Sequence, residues 1–339
     1  MNRIRVGIIG AGRIGRVHAQ SIAFGIPEAE IVAISDPFIE NAERAARDFA
    51  IPAVYPDYHA ILNDPTIQAV LICSPTNTHA DIAMEAARAG KHIFCEKPVD
   101  QTVSKILETK KLVEENTVKM QIGFNRRFDH NFRKIKKLRD DGTLGEIQII
   151  RITSRDPEPP SPEYAKTSGG MFLDMTIHDF DMACYQANSE VDEVYAMGAV
   201  TVDPEIGKAG DIDTAIVTLK FKNGAMAVID NCRKAVYGYD QRVEVFGTNG
   251  AAATENDRET MVQISTKDAV CEDKPLFFFL ERYMQSFRDE IKSFINAILN
   301  DRPVEVNIDD GLRPILIAIA ANKSMKENRP VKISEVMEG

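Results

Sequence analysis

Near its start the chain passes from a β-branched, apolar stretch, Ile4-Arg5-Val6-Gly7-Ile8-Ile9, straight into Gly10-Ala11-Gly12-Arg13-Ile14-Gly15. Few folds accept that order. The first stretch has the composition of a parallel strand buried on both faces. The three glycines then divide the work of the loop. Gly10 permits the tight turn, Gly12 lets the backbone approach a pyrophosphate, and Gly15 lets the next helix pack closely on the strand. A helix starting near Gly12, with Arg13 and Ile14 in its first turn, aims unpaired N–H groups and the positive end of its dipole at phosphate.

Three spaced glycines alone are a weak signal, and the context strengthens them. A second strand, residues 30–35, ends at Asp36, 21 residues beyond Gly15. A carboxylate there accepts from both hydroxyls of an adenosine ribose and repels a 2′-phosphate, so it favours NAD over NADP. Pro37, Phe38 and Ile39 follow, bringing no Arg or Lys to compensate a phosphate. The expected cofactor is NAD.

Strand and helix keep alternating after that acid. Helices are predicted at 40–49, 58–62, 78–89 and 103–115, and strands at 54–55, 69–73, 92–95 and 120–122. Such alternation predicts an α/β domain whose parallel sheet is covered on both faces. Beyond Gly123 and the polar Asn125-Arg126-Arg127 the pattern changes. Strands are predicted at 146–152, 194–200, 214–221, 225–231 and 242–246, with hairpin turns at Asn223-Gly224 and Asn249-Gly250, which predicts a largely antiparallel sheet. Helices at 279–299 and 311–325 close the chain. The expected division is 1–123 and 124–339, with the last helix free to pack back on the first domain.

Composition narrows the class further. At 339 residues and 44% hydrophobic the chain can bury two cores. A net charge of −10 argues against nucleic acid or an anionic membrane as the main partner. No apolar run reaches membrane-spanning length, and the charged start does not read as a signal peptide. Five scattered cysteines, Cys73, Cys95, Cys184, Cys232 and Cys271, include no CxxC pair and read as reduced thiols. A cytoplasmic enzyme is expected.

Two short constellations carry chemistry. Glu96-Lys97-Pro98 follows the strand at 92–95, and ligands of an open α/β sheet sit outside the carboxyl ends of its strands. Lys97 there can hold a substrate hydroxyl oxygen and stabilise charge that develops on it. Taken alone, a lysine at a strand end is more often a solvated surface residue. The second constellation is Asp174 and His178, four apart, so that on a helix they share a face. A carboxylate beside an imidazole steadies its cationic form, which suits His178 to take a proton from an alcohol. In isolation such a pair is as readily an ordinary surface contact or an N-cap. With no third ligand and no HExxH, no metal is expected.

Together, the glycine loop, Glu96-Lys97-Pro98 and Asp174-x-x-x-His178 resemble the glucose–fructose oxidoreductase/inositol dehydrogenase family. The resemblance runs essentially end to end. Residues 170–181 and Tyr237-Gly238-Tyr239-Asp240 are most similar to its inositol dehydrogenases. It implies an α/β protein: an amino-terminal Rossmann domain plus a carboxyl-terminal α/β domain with an open, mostly antiparallel sheet, through which members commonly form homotetramers. It implies NAD-dependent oxidation of myo-inositol to 2-keto-myo-inositol, a step of inositol catabolism, with Lys97, Asp174 and His178 as the catalytic group and the histidine as base. Ser74, Pro75, Asn77 and His79 match positions lining the nicotinamide side, and Glu96 is grouped with them, although His79 could equally cap a helix. Asn125 and Arg127 could meet substrate hydroxyls, and Arg126 and Arg127 could equally form a structural ion-pair cluster. Tyr239 and Tyr283 could wall the sugar pocket or sit in the core. One departure stands out: Ser154 and Asp156 occupy positions where some inositol dehydrogenases carry His and Asn. Asp156 only accepts hydrogen bonds, whereas an amide also donates. Another cyclic polyol or aldose, such as scyllo-inositol or glucose, stays open as substrate. So does a non-catalytic, NAD-sensing regulator, though that reading sits poorly with a full Lys, Asp and His set.

Overall fold

The computed structural model describes residues 3–337. Two compact units emerge from it. One comprises the chain up to Phe128 together with Gln285–Ile315, and the other Asp129–Met284 together with the chain from Leu316 onward.

The first unit is built on six parallel strands: β1 (Ile4–Ile9), β2 (Ala29–Ser35), β3 (Ala53–Tyr55), β4 (Ala69–Ile72), β5 (His92–Glu96) and β6 (Met120–Gly123). Their order is β3-β2-β1-β4-β5-β6, the doubly wound arrangement the alternation predicts. Consecutive residues such as Val70, Leu71 and Ile72 are fully buried, because both faces of the sheet are covered. Ala19 and Ile22 from the helix Arg13–Gly25 join Ala42 and Ala45 from Ile39–Phe49 against Ile8, Ile34 and Leu71. The same core takes in Ile291, Phe294 and Ile295 from the helix Phe279–Leu299. Helical periodicity in that late segment marks a buried face without naming the core it joins.

The second unit carries β7 (Ile147–Arg155), β8 (Val191–Ala199), β9 (Thr214–Phe221), β10 (Met226–Cys232), β11 (Asp240–Gly247) and β12 (Gly250–Ala253). A hairpin of β13 (Gln263–Ser265) and β14 (Val270–Glu272) forms a separate two-stranded sheet, and β15 (Val331–Lys332) completes the larger one. The large sheet runs β12-β11-β7-β10-β9-β8-β15 and is antiparallel except where β7 and β10 pair in parallel, so it is mixed. Gly224, at φ +91°, makes the turn between β9 and β10. Strand alternation buries Ile150, Ile152, Val217, Leu219, Ile229, Val243 and Val245, and the helix Ile177–Ala187 packs on β7. Met197, Ile216, Met226 and Phe246 stay exposed, in two separate register groups: Ile216 lies opposite Met197, and Met226 and Phe246 flank Ile149.

The helix His130–Asp140 lies where the sequence shows only a polar exit. Its cap is clear in retrospect: the Asp129 carboxylate accepts from the N–H groups of Asn131 (3.0 Å) and Phe132 (3.2 Å). All five cysteines are free. Among the described residues no helix is long and apolar enough to cross a membrane.

Candidate active site

The glycine loop is shaped by crowding on one side and open on the other. Gly10 sits at φ +101°, and a Cβ there would lie 2.6 Å from the carbonyl of Cys73. A Cβ on Gly15 would strike the Gly10 carbonyl oxygen at 2.0 Å. At Gly12 a Cβ would meet nothing within 4 Å, and Gly12 and Arg13 are exposed, while Ile14 is half-buried. No side chain caps the helix that begins there. This is the cradle a pyrophosphate requires: backbone forced to the surface, with an uncapped helix start and room in front of it.

Asp36 stands at the carboxyl end of β2, next to the loop at the end of β1. Its Oδ2 accepts from Ala11 N–H at 2.8 Å and its Oδ1 from Phe38 N–H at 2.9 Å. A carboxylate has about four lone-pair sites, so two such bonds leave capacity for ribose hydroxyls. The acid therefore also ties the glycine loop to the turn after β2. Within this unit the residues at the ends of β1, β2, β4 and β5 line up along the carboxyl edge of the sheet, where the strand order reverses between β1 and β4.

Ser74 follows β4, and its hydroxyl lies 2.7 Å from that of Thr78. Pro75 and Asn77 are exposed in the short turn beyond. His79 is buried, and its two ring nitrogens face the carbonyl oxygens of Ser74 and Pro98, each at 2.8 Å. It pins the loop after β4 to the Glu96-Lys97-Pro98 turn, and no side chain caps the helix that starts at His79. Lys97 is half-buried, and the Lys97–Pro98 peptide is cis. The Glu96 carboxylate turns inward, with Oε1 2.6 Å from His18 Nε2. Asn125 and Arg127 lie buried in the turn Asn125–Phe128, and Arg127 pairs with Asp310 at 3.2 Å.

In the second unit the chain turns through Gly169 and Gly170, both at positive φ, into a single helical turn, Met171–Asp174. His178 belongs to the next helix, Ile177–Ala187, so the expected single helix is interrupted at Met175 and Thr176. Asp174 is held from two sides: Tyr164 Oη donates to Oδ1 at 2.9 Å, and Arg233 donates to Oδ2 from both terminal nitrogens. Arg233 also lies 3.7 Å from Asp156 and 4.0 Å from Asp211, whose other oxygen accepts from Met171 N–H at 2.9 Å. One buried guanidinium thus gathers three carboxylates, two of which the sequence singles out.

The start of the His178 helix is fastened to the sheet by buried polar groups. Thr176 donates to Asn231 Oδ1 at 2.8 Å, and Asn231 Nδ2 donates to Asp179 at 2.8 Å and to the Ser154 carbonyl at 3.3 Å. Ser154 itself donates to Gln241 at 3.0 Å. Tyr239 and Tyr283 are buried with ring centroids 5.9 Å apart, edge to face, and Phe278 packs edge-on to Tyr239 at 5.7 Å. Sequence reasoning missed Arg233, Tyr164, Asp211 and Asn231. Arg233 directly follows a strand in Cys232-Arg233-Lys234, and nothing local separates a gathering arginine from a solvated one.

A doubly wound dinucleotide-binding unit, joined to a mixed-sheet unit bearing a fixed carboxylate and a half-buried histidine, defines a two-domain nicotinamide-nucleotide oxidoreductase. Residues 4–124 match the oxidoreductase family with an NAD-binding Rossmann fold, and residues 132–253 match the GFO/IDH/MocA carboxyl-terminal domain. The chain belongs to the Gfo/Idh/MocA oxidoreductase family. It is 52% identical over 331 residues to an uncharacterized oxidoreductase of Bacillus subtilis, covering 98% of this chain and 97% of that one. It is 46% identical over 334 residues to a myo-inositol 2-dehydrogenase of Thermotoga maritima, covering 98% and 100%. Among solved structures it resembles a scyllo-inositol dehydrogenase of Lactobacillus casei bound to NAD(H) and scyllo-inositol. That match has a TM-score of 0.92 at 32% identity and covers 98% of this chain and all of the other.

Proposed function

We propose that this oxidoreductase converts myo-inositol to 2-keto-myo-inositol with NAD as acceptor. The observation that carries the chemistry is the fixing of Asp174 by Arg233 and Tyr164 immediately ahead of His178. The choice of substrate is supported by the 46% identical myo-inositol 2-dehydrogenase.

The open cradle at Gly12 and the pinned Asp36 fit a dinucleotide, and Gly10, Gly12, Arg13, Ile14, Gly15, Asp36 and the loop from Ser74 to Asn77 would hold it. Bound NAD supplies the hydride acceptor at its nicotinamide. His178 takes the proton of the ring hydroxyl as its carbon gives up hydride, leaving a ketone. Asp174 stabilises the imidazolium that results. Lys97 donates a hydrogen bond to the reacting oxygen and offsets its charge as the proton leaves. Positioned general-base help of this kind is typically worth about a hundred- to ten-thousand-fold in rate. Asn125, Arg127, Asp156, Tyr239 and Tyr283 complete the assignment as substrate-side residues. Asp156 already faces Arg233, so it reads hydroxyls only with its remaining acceptor capacity.

The exposed apolar side chains of Met197, Ile216, Met226 and Phe246 on the open sheet support a homotetramer formed through it. The free, scattered cysteines support a cytoplasmic setting for inositol catabolism. The deciding assay follows reduced-nicotinamide absorbance with NAD or NADP against myo-inositol, scyllo-inositol and glucose. NAD reduction strongest with myo-inositol is expected. Preference for scyllo-inositol, which the Lactobacillus casei likeness makes the second reading, would keep the mechanism and change the substrate. NAD binding without turnover on any polyol would leave a regulator.

A further inference from the structure

Inside the first unit, His18, Glu96 and Glu290 converge from the helix Arg13–Gly25, the end of β5 and the helix Phe279–Leu299. One side-chain N or O atom from each lies within 4.8 Å of the others. His18 and Glu290 are wholly buried, and Glu96 nearly so. Neither carboxylate oxygen of Glu290 has a hydrogen-bond partner, while its backbone carbonyl is held by Gln121 Nε2 at 2.8 Å. An isolated carboxylate charge in such a place costs several kcal/mol, so a cation or a proton must relieve it.

The geometry favours the proton. His18 Nε2 and Glu96 Oε1 are 2.6 Å apart, a direct hydrogen bond. Separate ligands of one small divalent ion, each at about 2.0–2.1 Å from the metal, stand farther apart than that. His18 Nδ1 is buried without a partner, so Nε2 alone carries the ring's contact to the cluster. Two neighbouring carboxyl groups cannot both ionise in an apolar interior, and one retains a proton. Burial foremost, and the Glu96 charge after it, push the Glu290 carboxyl well above the usual carboxylate range. Burial keeps the nearby Cys73 and Cys95 thiols neutral.

We propose that Glu290, a carboxyl that keeps its proton beside Glu96 while His18 bonds Glu96 from the other side, is a positioning residue for Lys97. Glu96 is the residue before Lys97, and its carboxylate lies against Gly123, where a Cβ would come within 3.0 Å of Oε2. On the far side the Pro98 carbonyl is tied to His79. The lysine backbone is therefore pinned before and behind. This inference rests on Lys97 being the lysine that meets substrate, as proposed above.

Glu290→Gln keeps the size and a hydrogen-bond donor, while Glu290→Met removes the donor. The infrared spectrum of the unliganded wild type at neutral pH should contain the carbonyl band of a buried protonated carboxylic acid, absent in Glu290→Gln. Glu290→Gln should stay within about threefold of wild-type kcat. Glu290→Met should lose kcat on the order of a hundredfold, the cost of misplacing a reacting group by about 1 Å, with its Kd for NAD unchanged. Absence of the band, wild-type kcat in Glu290→Met, or a stoichiometric divalent metal that leaves with Glu290→Gln would each overturn the proposal. Full turnover by Lys97→Met would remove the reading beneath it, and the infrared band, measured without substrate, separates the two failures.

Discussion

Arg233 donates from Nη1 and Nη2 to a single oxygen of Asp174, each at 3.2 Å, while the other oxygen of that carboxylate takes the Tyr164 hydroxyl. Arg233 is 3% exposed and also faces Asp156 and Asp211. Its removal leaves three carboxylates without their common cation. Arg233→Met is expected to cost roughly 3–5 kcal/mol of stability, the usual penalty for breaking a buried charge cluster by one partner. Arg233→Lys keeps the charge without the fork and should fall between. Thermal unfolding of both variants beside wild type checks the order, and equal melting temperatures would remove the clustering role.

His178→Ala should bind NAD with unchanged affinity and lose about a hundred- to ten-thousand-fold in kcat. Cofactor titration followed by steady-state kinetics on one preparation reads both quantities. A variant with wild-type kcat would take His178 out of the proton transfer.

Asp36 carries two burdens, so its replacement should not simply exchange one cofactor for the other. Asp36→Ala removes the repulsion of a 2′-phosphate and also the bonds from Ala11 and Phe38 N–H groups. NADP use should rise relative to NAD, while affinity for both falls by about tenfold through the loosened loop, a loss of roughly 1.4 kcal/mol. Kd values for the two cofactors test this. An improved NADP affinity with NAD binding intact would show the loop bonds to be dispensable.

Asp213 gives a pH prediction. It is buried, and its carboxylate accepts from the N–H groups of Thr201 (2.8 Å), Val202 (2.9 Å) and Asp203 (2.9 Å) and from the Thr214 hydroxyl (3.0 Å). Burial alone would raise its pKa, but the backbone bonds outweigh burial and hold it below the usual carboxylate value. A folded value depressed below the unfolded one gives stability that is complete above the unfolded pKa. That stability drains away as pH falls through the folded pKa. Asp213→Asn should lower Tm by roughly 5–10 °C at neutral pH, with the gap to wild type closing in the acid range. A gap independent of pH would point to packing instead.

Local backbone demands were legible in the sequence, and convergences were not. Gly10, Gly15 and Asp36 announce themselves because the turn, the close helix packing and the acid are set within one β-α-β unit. The hairpin at Asn223-Gly224 is legible for the same reason. Asp174 and His178 stand out in the sequence, but the helix expected to carry both breaks at Met175 and Thr176, since the fastening of Thr176 to Asn231 comes from a strand some fifty residues later. Arg233 and Glu290 could not be seen at all. Each is an ordinary charged residue at the end of a strand or within an amphipathic helix, and its meaning lies in partners distant along the chain. The burial of Tyr239 and Tyr283 belongs to the same class, because periodicity cannot tell a ring that walls a pocket from one that fills a core.

The first unit draws Ile291, Phe294 and Ile295 into the same core as Ile8 and Leu71. Its opening portion runs to Phe128 and its remainder begins at Gln285. On a ribosome adding about 5–20 residues per second, roughly 10–30 s pass between the emergence of the first portion and that of the helix completing it. For that interval the nascent dinucleotide-binding sheet has an apolar gap where Phe294 will sit. A vectorially synthesised chain of this kind has its longest exposure to proteases and to chaperone capture in its oldest part, not its newest.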